Sequence, residues 1–151
     1  MHERHGTPIW VIGHKLTSIT TTGDYAFADV TVSPGVPGPP PHYHAAAEEL
    51  YYVVEGTMEF MRGDTWHAVS RGASFRIPKG TLHSFRNAGD QPSRFITIHD
   101  PGGPMDALFL DFGVPVEEPD SFERSVSEET IAAFAEAAGD HDMIIPASEP
   151  A

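Results

Sequence analysis

The stretch PHYHAAAEELYYVVEG, Pro41 to Gly56, decides how this chain folds. His42 and His44 stand two apart, so in an extended chain both imidazoles leave the same face and can reach one point. From Glu49 to Val54 the aromatic and β-branched residues predict a strand, Glu55 and Gly56 a turn, and Thr57 to Arg62 the returning partner, with Met58 and Phe60 sharing a face. A second stretch, GASFRIPKGTLHSFRN from Gly72 to Asn87, supplies another histidine, and Pro78 and Gly80 set a tight turn just before His83. Three imidazoles and one carboxylate drawn from two hairpins suit a divalent transition ion and leave part of its coordination sphere open.

Working outward, short strands are predicted at Ile9 to Ile12, Lys15 to Thr22, Tyr25 to Val32, Thr65 to Ser70, Ala73 to Ile77, His83 to Arg86 and Ser93 to Asp100, with turn residues in each gap. Ser33 to Pro41 holds five prolines and two glycines, so it forms no central strand. Because ligands are needed from both sides of it, this segment reads as a stiff approach to His42 and not as a linker between domains. The class is all-β, a sandwich or barrel.

After Pro101 the pattern changes. Met105 to Phe112 reads as a short helix or an extended wrap, and Pro115 to Asp120 as a loop. Ser125 with Glu128 resembles a capping box, and Ile131, Phe134, Ala135 and Ala138 recur at helical spacing before Gly139, predicting an amphipathic helix over about 126–138. Its apolar stripe must cover an open end of the β structure or a second subunit. The division is a β domain over 1–113 and an acidic extension over 114–151, whose last residues from His141 are expected to be loosely held.

At 151 residues the chain is one domain's worth. Its formal charge of −13 is uneven, for Val114 to Ala151 carries ten acidic residues against Arg124 alone. The chain has no basic patch for a phosphate backbone or an anionic bilayer, so neither nucleic acid nor membrane is expected as a partner. There is no cysteine, which leaves only nitrogen and oxygen donors for a metal. Met1 to Lys15 lacks the apolar run of an export signal, so a soluble cytoplasmic protein is expected.

Glu49 and Glu48 compete for the carboxylate position. If Glu49 points inward, Tyr51 and Val53 share its face, whereas Glu48 would reverse the alternation. His2, His5, His14, His67 and His141 read as ordinary histidines. His99 shares strand parity with Phe95 and is a candidate contact to a substrate. Phe27, Tyr51, Met58, Phe60, Trp66, Phe75, Ile77 and Phe85 are candidate apolar walls of a substrate pocket.

These two stretches resemble the paired motifs of the cupin superfamily. Gly72, Pro78, Gly80, His83 and Asn87 match the second motif throughout, and His42, His44, Glu49 and Gly56 match the first with its usual spacing, which favours Glu49 over Glu48. Gly35 lies one residue further from His42 than the pattern places it. The resemblance implies an antiparallel double-stranded β-helix, or jelly-roll, barrel that is usually dimeric. It also implies one divalent ion, with Fe, Mn, Ni, Cu and Zn all open, held by His42, His44, Glu49 and His83.

Within that superfamily the Glu48 to Gly56 run and the Pro-Gly-Gly-Pro of Pro101 to Pro104 resemble quercetin (flavonol) dioxygenase-like proteins. The activity so implied is oxygen-dependent cleavage of an enolisable or phenolic small molecule, with Glu49 as catalytic base. An oxygen-independent metal-dependent isomerase, lyase or cyclase is the second reading, and a non-catalytic small-ligand-binding protein the third.

Overall fold

The computed structural model describes residues 3–19 and 21–147. His2 therefore lies outside the described residues. The elements run β1 (Ile9–Val11), β2 (His14–Ile19), β3 (Ala26–Val32), β4 (Glu48–Glu55), β5 (Thr57–Arg62), β6 (Thr65–Ser70), β7 (Ser74–Ile77), β8 (His83–Arg86) and β9 (Ser93–Asp100). Among the described residues three α-helices, α1 (Gly103–Phe112), α2 (Ser121–Ser125) and α3 (Glu128–Ala138), follow, with the short strand β10 (Val114–Pro115) between the first two and a 3-10 turn at Gly139–His141 after the last.

All strand pairings are antiparallel. Seven strands form one sheet in the order β10-β1-β2-β3-β9-β4-β7, and three form another in the order β6-β5-β8. Alternation directs one face of each sheet inward. In β3, for example, Ala26, Ala28, Val30 and Val32 are buried while the residues between them are half-exposed. The two inner faces meet where Tyr51 of the large sheet stacks on Phe60 of the small one, ring centroids 4.2 Å apart.

The expected closed barrel is corrected to two sheets that no strand ladder joins, while side-chain hydrogen bonds such as that from Arg62 to the Arg76 carbonyl cross between them. The cause is local. Prolines at 37, 39, 40 and 41 have no backbone N–H to give a ladder, so the segment before His42 contributes only an isolated bridge between His42 and His83. It still lies close against β8, because a Cβ on Gly38 would come within 1.7 Å of the Phe85 carbonyl oxygen.

Met105 to Phe112 is helical, with Pro104 tolerated in the first turn of α1 and Met105, Leu108 and Leu110 buried. The predicted cap of α3 moves by two residues: Ser127 has the extended backbone a cap requires, and its hydroxyl accepts from the Thr130 N–H at 3.2 Å. Ser125 instead ends α2, and its hydroxyl donates to the Phe122 carbonyl at 2.7 Å. Part of the predicted loop, at Pro115, pairs with β1 through β10.

The end of the described chain is held, contrary to expectation. Met143 is buried. Ile144 bridges Tyr43. The Asp142 carboxylate accepts the backbone N–H groups of Ala45, Ala46 and Ala47 at 2.8–3.1 Å. No helix among the described residues is long and apolar enough to cross a membrane.

Candidate metal centre

His42, His44, Glu49 and His83 converge, all buried, with one potential ligand atom from each lying within 4.8 Å of the others. Donors bound to one ion at about 2.1 Å sit no more than about 4.2 Å apart, so small side-chain shifts complete the set. Three backbone features deliver the residues. The His42–His83 bridge sets two of them side by side, with N–H···O distances of 3.0 and 2.8 Å. Gly80, at φ 73°, makes the turn before His83, and its N–H reaches the His44 carbonyl at 2.8 Å. Glu49 enters from β4, opposite Ile77 on one side and His99 on the other.

The competition between the two glutamates is resolved by the sheet. Glu48 faces outward and is paired with the Arg76 guanidinium, while Glu49 is 3% exposed. The outward carboxyl has its pKa lowered by the hydrogen bond from Arg76.

The imidazoles are oriented by main-chain carbonyls. The Nδ1–H of His42 donates to Pro40 at 3.0 Å, that of His44 to Asp142 at 2.6 Å, and that of His83 to Thr81 at 2.9 Å. With Nδ1 carrying the proton, each neutral ring keeps an Nε2 lone pair. The Nε2 atoms of His44 and His83 then stand 3.2 and 2.9 Å from Glu49 Oε1. Lone pairs facing a carboxylate oxygen repel unless protons or a cation lie among them, and one divalent ion satisfies all four residues together. The donor set and its orientation thus fit a metal ion.

The electrostatics of His42 and Glu49 agree with that fit, while Glu49 draws His44 toward its protonated form when no cation is bound. Burial, then repulsion from His83 and His44, lowers the His42 pKa to about 3, which keeps this ring in the neutral, ligating form. Burial also acts against a charge on His44, but the hydrogen bond and charge of Glu49 outweigh it and raise the pKa. For Glu49 burial favours the neutral acid, yet the charge of His99 and the hydrogen bonds of the three neighbouring histidines hold the carboxyl well below the ordinary range.

The second oxygen of Glu49 has its own partners. Thr97 donates its hydroxyl to Oε2, and His99 Nε2 lies 3.2 Å away. Tyr51 also faces this carboxylate, and burial together with the Glu49 charge pushes its phenol well up, so it stays protonated. Thr97 escaped the sequence reading, although it shares the parity of Phe95 and His99 along β9. Asp142 escaped it too, and no local pattern marks a carbonyl that orients a histidine so far away in sequence.

Beside the cluster lies a cavity of about 140 Å³. Of the predicted pocket residues, Tyr51, Phe85 and His99 line it together with His42 and Glu49. Met58, Phe60, Phe75 and Ile77 are buried core side chains that do not line it. Phe27 is on the opposite face of β3 from Ala26 and Ala28, because the buried register of that strand falls on its small residues. Trp66 is half-buried outside the cavity with the Arg86 guanidinium 3.9 Å above its ring. The remaining walls come from elements outside the two motifs: Val11, Leu16, Met105 and Phe109, with Ile131, Phe134 and Ala135 of α3 and Met143 after it.

A family model described as a cupin domain matches residues 28–99. Polyketide synthase CurC of Streptomyces cyaneus is 37% identical over 68 residues, covering 44% of this chain and 44% of that protein. Germin-like protein 5-1 of Oryza sativa subsp. japonica is 32% identical over 114 residues, covering 70% of this chain and 50% of that protein. The chain thus spans about half the length of the curated relatives it matches. Among solved structures, a predicted oxalate decarboxylase from Thermotoga maritima superposes with a TM-score of 0.56 at 20% identity, over 62% of this chain and 90% of that one, a likeness of fold.

Proposed function

With the domain match and the fold neighbours supporting the cupin superfamily, we propose that this protein is a metal-dependent dioxygenase acting on an apolar, enolisable or phenolic small molecule of flavonol-like kind. The observation that carries this reading is the junction of a buried three-histidine, one-glutamate cluster with a cavity whose other walls are almost all aliphatic or aromatic. Among the described lining residues there is no Lys or Arg to balance a dicarboxylate or a phosphate, which argues against substrates of those classes.

A divalent transition ion held by His42, His44, Glu49 and His83 would supply Lewis acidity toward a substrate hydroxyl and a path for electrons to dioxygen. Glu49 is placed to take the hydroxyl proton. Its Oε2 is held by Thr97 and lies beside His99, which can carry the proton onward. The walls from β2, β3, α1 and α3 exclude water from the electron-rich carbon that dioxygen attacks. Both oxygen atoms end in the cleaved product, so no separate reductant is required.

The test is anaerobic reconstitution with each candidate metal, then an oxygen electrode with flavonols and enolisable diketones. Oxygen uptake matching substrate loss is the expected result. The His99–Glu49 contact of 3.2 Å favours a second reading, proton relocation by an isomerase or cyclase, because two groups able to hold a proton stand side by side. Product formation without oxygen uptake would establish that reading in place of the first. Tight binding without turnover would leave a binding protein.

The homodimer expected from the resemblance has a candidate face. On the outer side of the large sheet Ile19, Phe27, Ile98 and Leu50 stand opposite one another across four strands, with Tyr52 and Ile96 in the neighbouring row. Ile19, Leu50 and Tyr52 are 40, 38 and 46% exposed, a contiguous apolar surface of the kind that subunits cover.

A further inference from the structure

His14 opens β2 and is 7% exposed, and neither of its ring nitrogens has a hydrogen-bond partner. Most buried polar groups are satisfied, so an imidazole left without a partner calls for a cause. His14 lines the same cavity as His42 and Glu49, and of the polar side chains on that wall it is the one standing apart from the metal cluster and its contacts Tyr51, Thr97 and His99.

The strand register fixes where it stands. Ala26 of β3 lies opposite His99, whereas Thr31 lies opposite Lys15, the neighbour of His14. Five residues of β3, roughly 17 Å of strand, therefore separate the place opposite His99 from the place opposite Lys15. Between them the walls are Leu16, Val30, Phe85 and Phe95. The Phe85 ring meets the His14 ring edge-on at 5.1 Å. Burial lowers the His14 pKa to about 4, the Pro37 backbone offsetting only part of that without hydrogen-bonding either nitrogen. The ring is thus neutral near pH 7, with one N–H donor and one lone pair to offer.

We propose that His14 is a substrate-binding residue whose ring hydrogen-bonds an oxygen at the end of the ligand remote from the metal centre. The cavity then takes an apolar molecule with chelating oxygens at one end and a hydroxyl or carbonyl at the other. This rests on the phenolic reading of the cavity given above. A residue kept only for packing would be better served by Leu or Phe, which fill the space without an unsatisfied polar group.

The experiment is a fluorescence titration of the zinc-loaded protein under anaerobic conditions, so that no oxygen chemistry can consume the probe. The probes are 3-hydroxyflavone and its 2′-, 3′- and 4′-hydroxylated analogues, and the proteins are wild type, His14→Phe and His14→Gln. Wild type is expected to hold one hydroxylated analogue roughly 5- to 50-fold more tightly than the parent, the range of a buried hydrogen bond. His14→Phe removes that preference, keeps the parent's affinity and one zinc per chain, and melts at a higher temperature than wild type. His14→Gln keeps part of the preference and carries the test if the phenylalanine variant fails to fold. Equal affinity of wild type for all four probes overturns the assignment of His14 and leaves the apolar phenolic cavity intact. Failure of wild type to bind any of them overturns both. A preference unchanged in the variants, or a lower melting temperature for a folded His14→Phe, likewise overturns the assignment.

Discussion

The backbone carbonyl of Asp142 accepts the Nδ1–H of His44 at 2.6 Å across 98 residues of sequence. The Asp142 side chain fixes that geometry, since its two carboxylate oxygens accept the N–H groups of Ala45, Ala46 and Ala47. The extension after α3 is thereby tied to a metal-ligand candidate. Asp142→Ala should leave the fold in place and weaken metal binding about 10- to 100-fold, the usual effect of losing support behind a ligand. Competition with a chromophoric chelator measures it, and an unchanged affinity would show that the His44 carbonyl bond forms without the side chain.

Protein loaded with metal should carry close to one divalent ion per chain, and His83→Ala or His42→Ala should abolish it while circular dichroism stays that of a β protein. Elemental analysis decides this. Full loading in either variant would remove that histidine from the ligand set.

Glu49→Gln should weaken the metal and lower turnover by roughly two to four orders of magnitude, as expected for a lost general base. Glu48→Gln should change neither, because its partner is the surface guanidinium of Arg76. Steady-state rates and metal content of the two variants, measured together, separate the roles.

The pH dependence of stability follows from His14. Its folded pKa, about 4, lies below the ordinary 6.5, so between those values the unfolded chain binds more protons. His14's contribution is complete above pH 6.5 and is lost as the pH falls toward 4, by up to about 3 kcal/mol. Urea unfolding of metal-free wild type and His14→Phe at pH 7.5 and pH 5 should show a smaller acid loss in the variant. His42, Glu49, Tyr51 and His99 line the same cavity in both proteins, so the difference isolates His14. Equal losses would mean that His14 does not stay neutral and buried.

If the outer face of the large sheet is the dimer interface, Leu50→Glu should give a monomer by light scattering, since a charge in a covered apolar face is costly. An unchanged mass would move the interface elsewhere, or show a wild type that is already monomeric.

Much of the β structure was legible because period-two alternation and turn residues are local signals. β5, β6, β8 and β9 have the predicted bounds, and others differ by a few residues at their ends. Pocket walls were harder to read. Met58, Phe60, Phe75 and Ile77 look in sequence just like Phe85, yet they fill the space between the sheets while Phe85 borders the cavity. Inward parity says that a side chain is buried, not which neighbours it meets. His14 read as ordinary because a single histidine on a short strand has no pattern around it.

By itself the sequence determined a β protein with His42, His44 and His83 as metal-ligand candidates and Glu48 or Glu49 as the fourth, for strand parity and tight turns act between residues a few positions apart. Only the tertiary structure decided that no ladder joins the two sheets, that Glu49 and not Glu48 faces the histidines, that α1 and α3 roof the cavity, that Asp142 braces His44 and that His14 lies buried without a partner. Those facts depend on contacts between segments distant along the chain, whose mutual placement is set by packing of the whole and is written in no local spacing.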